Sequence, residues 1–489
     1  MAYDAIVIGA GLSGLTSALL LAQNGRKVLV VEQHHSPAPV LSGFERDGIY
    51  FDTGFHYAGG LGANEPLLPM LHHLGLADKL QLFPYDQNGF DALRLAASGE
   101  EYVLPVGFAN IRQYLGEKFP AAATEIGIYL DEIASTWRNS PYLDLDTDFY
   151  EFSLMSVHGC SLEQRLEVFS AWPQLQGLLS MHCLLYGVSP QTAPFSLNAQ
   201  VAGSFYHSVH GIVGGGRQLV QVLLGLIKGA GVDLKCHADV AGILVEKGVI
   251  SGVRLRSGTE FAAPIVITTI NPAILPDLLP DAGLRPAYLK RLNQLQQTCS
   301  AYIFFGRNPE PLKFLHHRNL FVQPRSGTMG IETSLAERSL YLTGANQGGG
   351  SAPTGLVGIV PANYSEVEIW GSTGKRRTNE YREWKQGMAE RVQQLLQQSC
   401  PELSKLEQLD FATPLTLRDY SCAPSGAIYG VGRELGQYNP LPVTRLPGLF
   451  LAGQAVTVCG LVGTLVSSYL ACGSILGHDF LRGELRACR

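Results

Sequence analysis

Charge is scarce in this chain. Asp, Glu, Lys and Arg make up 16% of its 489 residues against 46% hydrophobic, and the net charge is −6. With a pI near 6.1 and one dense basic run, GKRRTNEYREWK at 374–385, the sequence excludes a polyanion partner such as nucleic acid, which needs a concentrated positive surface. That run reads as the start of a solvated helix, with contact to an anionic membrane surface as its other reading. A cysteine framework is also missing. The nine cysteines are scattered, odd in number and never spaced C-x-x-C, which argues against disulfides and zinc and for a reducing compartment. His34-His35, His72-His73 and His316-His317 are adjacent pairs whose members face different ways, so no metal site is expected. The start, MAYDAIVIGAG, has no basic signal-peptide stretch, and a cytoplasmic location is expected.

Two long runs without charge, between Asp4 and Arg26 and between Arg445 and Asp479, would each be long enough to span a bilayer. Glycines at nucleotide-binding spacings interrupt both. Each is therefore expected to be a buried parallel strand turning into a helix that packs on it. The mean hydropathy of +0.09 then implies a large interior or a greasy ligand.

What the chain does have is a βαβ unit at residues 4–32, DAIVIGAGLSGLTSALLLAQNGRKVLVVE. Ala5–Ile8 is a short strand, GAGLSG a turn, LTSALLLAQNG a helix closed by Gly25, and KVLVVE a second strand. In the G-x-G-x-x-G fingerprint Gly9 permits the tight turn. Gly11 lets the backbone approach a pyrophosphate, and Gly14 lets the helix pack on the strand. The helix start offers N–H groups and a positive dipole end to the phosphates. Glu32 is placed to accept from an adenosine ribose and disfavours a 2′-phosphate. NAD and FAD both satisfy this pattern. No second complete fingerprint follows, YGVGRELG (429–436) coming nearest.

Residues 65–205 read as a helical, Leu- and aromatic-rich region, either plain core or a hydrophobic substrate chamber. From about 206 α/β character returns, with hairpin turns at Lys247-Gly248 and Ser257-Gly258. Strands and a late helix are expected over 291–408, and a buried strand Leu449–Ala452, a glycine turn and an uncharged helix close the chain. Nucleotide-like features at both ends suggest that the ends meet.

Four stretches together resemble the FAD-dependent amine-oxidase-type flavoproteins, in the branch of phytoene desaturases, carotenoid isomerases and retinol saturases. They are the fingerprint with Glu32, FERDGIYFDTGFHY (44–57), LLYGVSPQTAPF with VGGGRQLVQVL, and TPLTLRDYSCAPSGAIYGV with LPGLFLAGQAVTVCGLVG. The resemblance implies an α/β fold with a Rossmann-like FAD-binding domain and an interleaved α+β substrate domain. Residues 1–64, 206–290 and 409–489 would form the first, and 65–205 with 291–408 the second. By position, Gly9, Ala10, Gly11, Ser13 and Gly14 would cradle the FAD pyrophosphate. Val240 would hold the adenine through its backbone, and Gly453 and Gln454 would approach the ribityl chain. Gly460 and Gly463 would lie beside the flavin. Asp52 and Gly54 would make the turn leading there, with His56 and Tyr57 facing the chamber as catalytic candidates and Asp419 as a third. Ala38-Pro39 stands where relatives carry Gly-Gly. Proline has no N–H, and neither residue is expected to take the positive φ of glycine, which singles out one cofactor contact as altered. Cys459 stands where relatives tend to have proline.

The chemistry so implied is hydride exchange between flavin N5 and a hydrophobic polyene or isoprenoid, as desaturation, saturation or isomerisation, with an external electron partner. An amine or amino-acid oxidase, and a non-enzymatic prenyl carrier of the GDP-dissociation-inhibitor type, are the alternatives.

Overall fold

The computed structural model describes residues 2–62, 65–152, 159–279, 284–324, 329–373 and 377–489. The first three residues of the basic run (374–376) and the end of the 1–64 segment lie outside them. Within the run, Thr378 caps the helix Asn379–Ser399 through its hydroxyl, and Arg377 turns inward to Asp419.

Ala5–Ile8 (AIVI) and Val28–Val31 (VLVV) are completely buried strands. Short β-rich apolar runs of this kind suit a parallel sheet covered on both faces. They pair in parallel, Ile6 opposite Leu29, and the helix Leu12–Gln23 between them is buried from Leu12 to Leu21. The full sheet has five parallel strands in the order Asp233–Lys235, Val28–Val31, Ala5–Ile8, Val266–Thr268 and Leu449–Leu451. Counted along the chain this is 3-2-1-4-5, a doubly wound sheet whose direction reverses between the first and fourth strands. Ligands bind at that crevice, outside the carboxyl ends of the strands.

The meander Val240–Glu246, Val249–Leu255, Glu260–Ala262 follows the expected hairpins. Lys247 and Gly248 take φ of +51° and +80°, as a tight two-residue turn demands. A second, seven-stranded sheet runs Glu407–Ala412, Ser300–Arg307, Gly355–Ala362, Leu340–Gly344, Asn319–Gln323, Asp91–Leu95 and Glu101–Leu104. Its last two members lie inside the region expected to be helical. DALRL and EYVL are too short to show a period, and Asp91–Leu95 is held by pairing with Asn319–Gln323, far along the chain. The helices Phe108–Lys118, Ala123–Trp137, Pro173–Ser180 and Phe195–His207 share one buried cluster with this sheet. No helix among the described residues is long and apolar enough to cross a membrane.

Candidate cofactor and active site

The crevice is closed at Gly9. Thr269, just past the fourth strand, donates both its N–H and its hydroxyl to the Ile8 carbonyl at 3.0 Å. Gly9 leaves the first strand at φ +99°, and a Cβ on Gly14 would lie 1.9 Å from the Gly9 carbonyl oxygen. Only glycine lets the helix start this close to the strand. Gly11 differs, since a Cβ there would meet nothing within 4 Å. The helix also begins without a side-chain cap. Its first N–H groups and positive dipole end face that opening.

Glu32 accepts the Ala10 N–H on one oxygen at 2.8 Å and the His34 N–H on the other at 2.9 Å. The carboxylate therefore fixes the turn, and its remaining lone pairs are available to ribose hydroxyls. Its carbonyl accepts the Ala238 N–H, which sets Val240, the first residue of its strand, at the same end of the crevice.

The two ends of the chain do meet. The Ser13 hydroxyl is buried 2.9 Å from that of Ser468 and 3.4 Å from that of Ser467, and Ser467 accepts the Gly453 N–H at 2.8 Å. The side chain of Ser13 thus joins the first helix to the helix Gly460–Leu476. That second helix repeats the design of the first. It has no side-chain cap, a Cβ on Gly460 would meet nothing within 4 Å, and one on Gly463 would lie 2.0 Å from the Val458 carbonyl oxygen. Two uncapped helix starts, each fronted by an open glycine, fit a dinucleotide carrying a pyrophosphate and a flavin.

Ala38 corrects an expectation. It adopts φ +45° and donates its N–H to the Ala10 carbonyl at 3.0 Å, so the chain keeps the left-handed turn without glycine. An alanine in that region costs about 1–2 kcal/mol. Ala38→Gly is therefore expected to raise the stability of the FAD-loaded protein by about 0.5–1 kcal/mol, after the larger unfolded-state entropy of glycine is subtracted. A lower thermal midpoint would rule this out.

A family model for flavin-containing amine oxidoreductases matches residues 12–476. The chain belongs to that family. FAD is its cofactor, and this flavoprotein is an oxidoreductase. It is 27% identical to human all-trans-retinol 13,14-reductase, over 97% of this chain and 86% of that one. It is 23% identical to the 4,4'-diapolycopene oxygenase of a Methylomonas species, over 93% and 94%. A crystal structure of an oxidoreductase from Methanosarcina mazei superposes with a TM-score of 0.68 at 18% identity, covering 96% of this chain and 99% of that one.

Beyond the cradle, the flavoprotein carries a second group of predicted residues on the turn after Ile49–Phe51. The Gly54 backbone packs on Val40. Asp52 accepts the Gly216 N–H at 2.8 Å and the Tyr50 hydroxyl at 2.9 Å, capping the helix Gly215–Gly229. Asp52 and His56 both line a small crevice together with Phe83, Ile212 and Gln347. Burial pushes the Asp52 carboxyl up to about 7 and holds the His56 imidazole down to about 4, so His56 is neutral at physiological pH. A carboxyl raised on folding from the ordinary 3.8 binds its proton more tightly in the native state. Its stabilising contribution is complete below about pH 4 and is lost as pH rises to about 7. Urea midpoints of the native protein are expected to fall across that window more steeply than those of Asp52→Asn, and parallel slopes would refute the assignment.

Tyr57 is buried among Phe205, Tyr85 and Tyr341, with ring centroids 4.6, 5.3 and 6.5 Å away. Its hydroxyl donates to Asp91 at 2.8 Å. The same carboxylate pairs with His182 Nε2 at 2.8 Å and accepts from Asn319 at 2.8 Å. The Asp91 and His182 side chains have no solvent exposure. The sequence reading missed this cluster. Its one signal was an acid opening an apolar strand, DALRL. Asp419 lies elsewhere, on the helix Pro414–Ser421, where Arg377 and Arg418 hold its carboxylate.

Proposed function

We propose that this flavoprotein exchanges hydride between FAD and a C–C or C=C bond of a hydrophobic polyene or isoprenoid. The observation that carries the reading is the aromatic wall of Tyr57, Tyr85, Phe205 and Tyr341 beside a neutral His56. A flat conjugated chain stacks on such rings, whereas a charged amine would need an ionised carboxylate; Asp52, which lines the crevice with His56, is raised by burial to about 7 and already accepts from Gly216 and Tyr50. The names of the relatives point the same way, towards a retinol and a diapolycopene. When bound, FAD supplies hydride uptake or donation.

The chain's residues would position and exclude. Gly9, Ala10, Gly11, Ser13, Gly14 and Glu32 would seat the adenosine diphosphate with Val240. Gly453, Gln454, Gly460 and Gly463 would seat the flavin half, and the Asp52–Gly54 turn would bring His56 and Tyr57 to the reacting carbons. Tyr57 donates its O–H to Asp91 as a hydrogen bond, so it would present lone pairs and a ring face rather than an O–H. Asp419, held by two arginines, supports positioning rather than proton transfer. The parallel sheet and its meander would be the FAD domain, with 65–205 and 291–408 closing over the substrate. Peripheral membrane contact would supply a lipid-soluble substrate.

The test is incubation with a panel of retinol, phytoene and carotenes, once with reduced and once with oxidised FAD, read by mass spectrometry. A gain of two hydrogens with reduced FAD indicates saturation, a loss of two with oxidised FAD desaturation, and a new isomer of unchanged mass isomerisation. Peroxide release from amines with every polyene unchanged would overturn the proposal, as would a protein that takes up no FAD.

A further inference from the structure

Arg433 is used by neither the cradle nor the aromatic wall. It belongs to YGVGRELG, the near-fingerprint of the sequence, and lines a largely apolar cavity with Tyr186, Leu197, Tyr429, Gln454 and Cys459. One guanidinium N–H donates to the Val456 carbonyl at 2.9 Å. Among the described residues no carboxylate pairs with it, and burial lowers the guanidinium to about 10, which leaves it charged at neutral pH. An unpaired cation in such surroundings is strongly disfavoured without an anionic partner. No other residue lining the cavity carries a charge that would cancel it. Gln454 contributes an amide donor, and the loop 453–459 leads into the uncapped start of Gly460–Leu476, whose dipole is also positive there. Burial likewise holds the Cys459 thiol in its neutral form, pushing it up to about 12.

We propose that Arg433 is the counter-ion of an anionic edge of bound FAD. The proposal rests on FAD occupying the crevice. Two parts of the cofactor carry suitable charge: the pyrophosphate, anionic always, and the isoalloxazine ring, anionic once reduced. On the first, Arg433 anchors the cofactor. On the second, it sets how readily the cofactor accepts hydride.

The experiment compares the parent with Arg433→Gln and Arg433→Lys, measuring the Kd for oxidised FAD and the two-electron midpoint potential of the bound cofactor. If the ring is the partner, Arg433→Gln keeps its oxidised-FAD affinity and loses about tenfold in reduced over oxidised affinity, a potential about 30 mV lower. If the pyrophosphate is the partner, affinity for both redox forms falls about tenfold together and the potential stays. Arg433→Lys, which keeps the charge and shortens its reach, should shift the same quantity by less, and it serves alone should Arg433→Gln not fold. Parent values for both quantities in every folded variant overturn the proposal. A parent protein that binds no FAD would instead overturn the cofactor assignment.

Discussion

Gly14→Ala is expected to yield a protein that is both less stable and without flavin. The added methyl would lie 1.9 Å from the Gly9 carbonyl oxygen and 3.0 Å from its carbon. Both are backbone atoms fixed by the strand, so neither can rotate away, and the first helical turn must lift off the sheet. Overpacking of this kind costs about 1–3 kcal/mol, and it displaces the N–H groups proposed to face the diphosphate. A hundredfold or greater rise in the Kd for FAD is expected, which corresponds to about 2.7 kcal/mol. Gly11→Ala separates the two effects. Its methyl meets no protein atom within 4 Å but enters the approach of the phosphates, so it should weaken FAD binding while the FAD-free stability stays near the parent's. Flavin absorbance after gel filtration and urea unfolding with and without FAD distinguish the pair. A yellow, fully stable Gly14→Ala protein would show that the helix start is not where the cofactor is held.

Asp91→Ala should be the most damaging substitution outside the cradle. It removes one carboxylate and leaves three buried donors without an acceptor: Tyr57 Oη, His182 Nε2 and Asn319 Nδ2. His182 Nδ1 already has no partner, so its whole ring would be stranded in apolar surroundings. A buried donor left without an acceptor costs about 1–3 kcal/mol, and three of them together are a large part of the roughly 5–15 kcal/mol that holds a folded protein together. Asp91→Asn retains one accepting oxygen and should lose less. The released Tyr57 hydroxyl should also turn toward the chamber, so the surviving fraction is expected to show a changed KM for the polyene. Urea unfolding of the FAD-loaded protein reads the first effect, and a loss below about 1 kcal/mol would mean that the cluster is not a structural pillar.

The amino-acid sequence by itself determined the glycine turn proposed as the cradle. Gly9, Gly11, Gly14 and Glu32 act through backbone geometry within one βαβ unit, where contacts are local in the chain and spacing alone carries the information. The turns at Lys247-Gly248 and Gly25 were legible for the same reason. Tertiary structure decided the rest. The strands Asp91–Leu95 and Glu101–Leu104 exist through distant pairing, which no short period in DALRL or EYVL announces. The side chain of Ser13 serves the union of the two glycine-fronted helices. Ala38 holds a left-handed turn that its residue type disfavours, because the surrounding contacts over-determine the loop and offset the strain. The Asp91 cluster draws on a turn, two strands and a helical segment, and Arg433 owes its unpaired charge to a cavity walled by distant parts of the chain. Backbone-borne chemistry lies in sequence spacing, whereas burial and the pairing of charges are properties of the assembled interior.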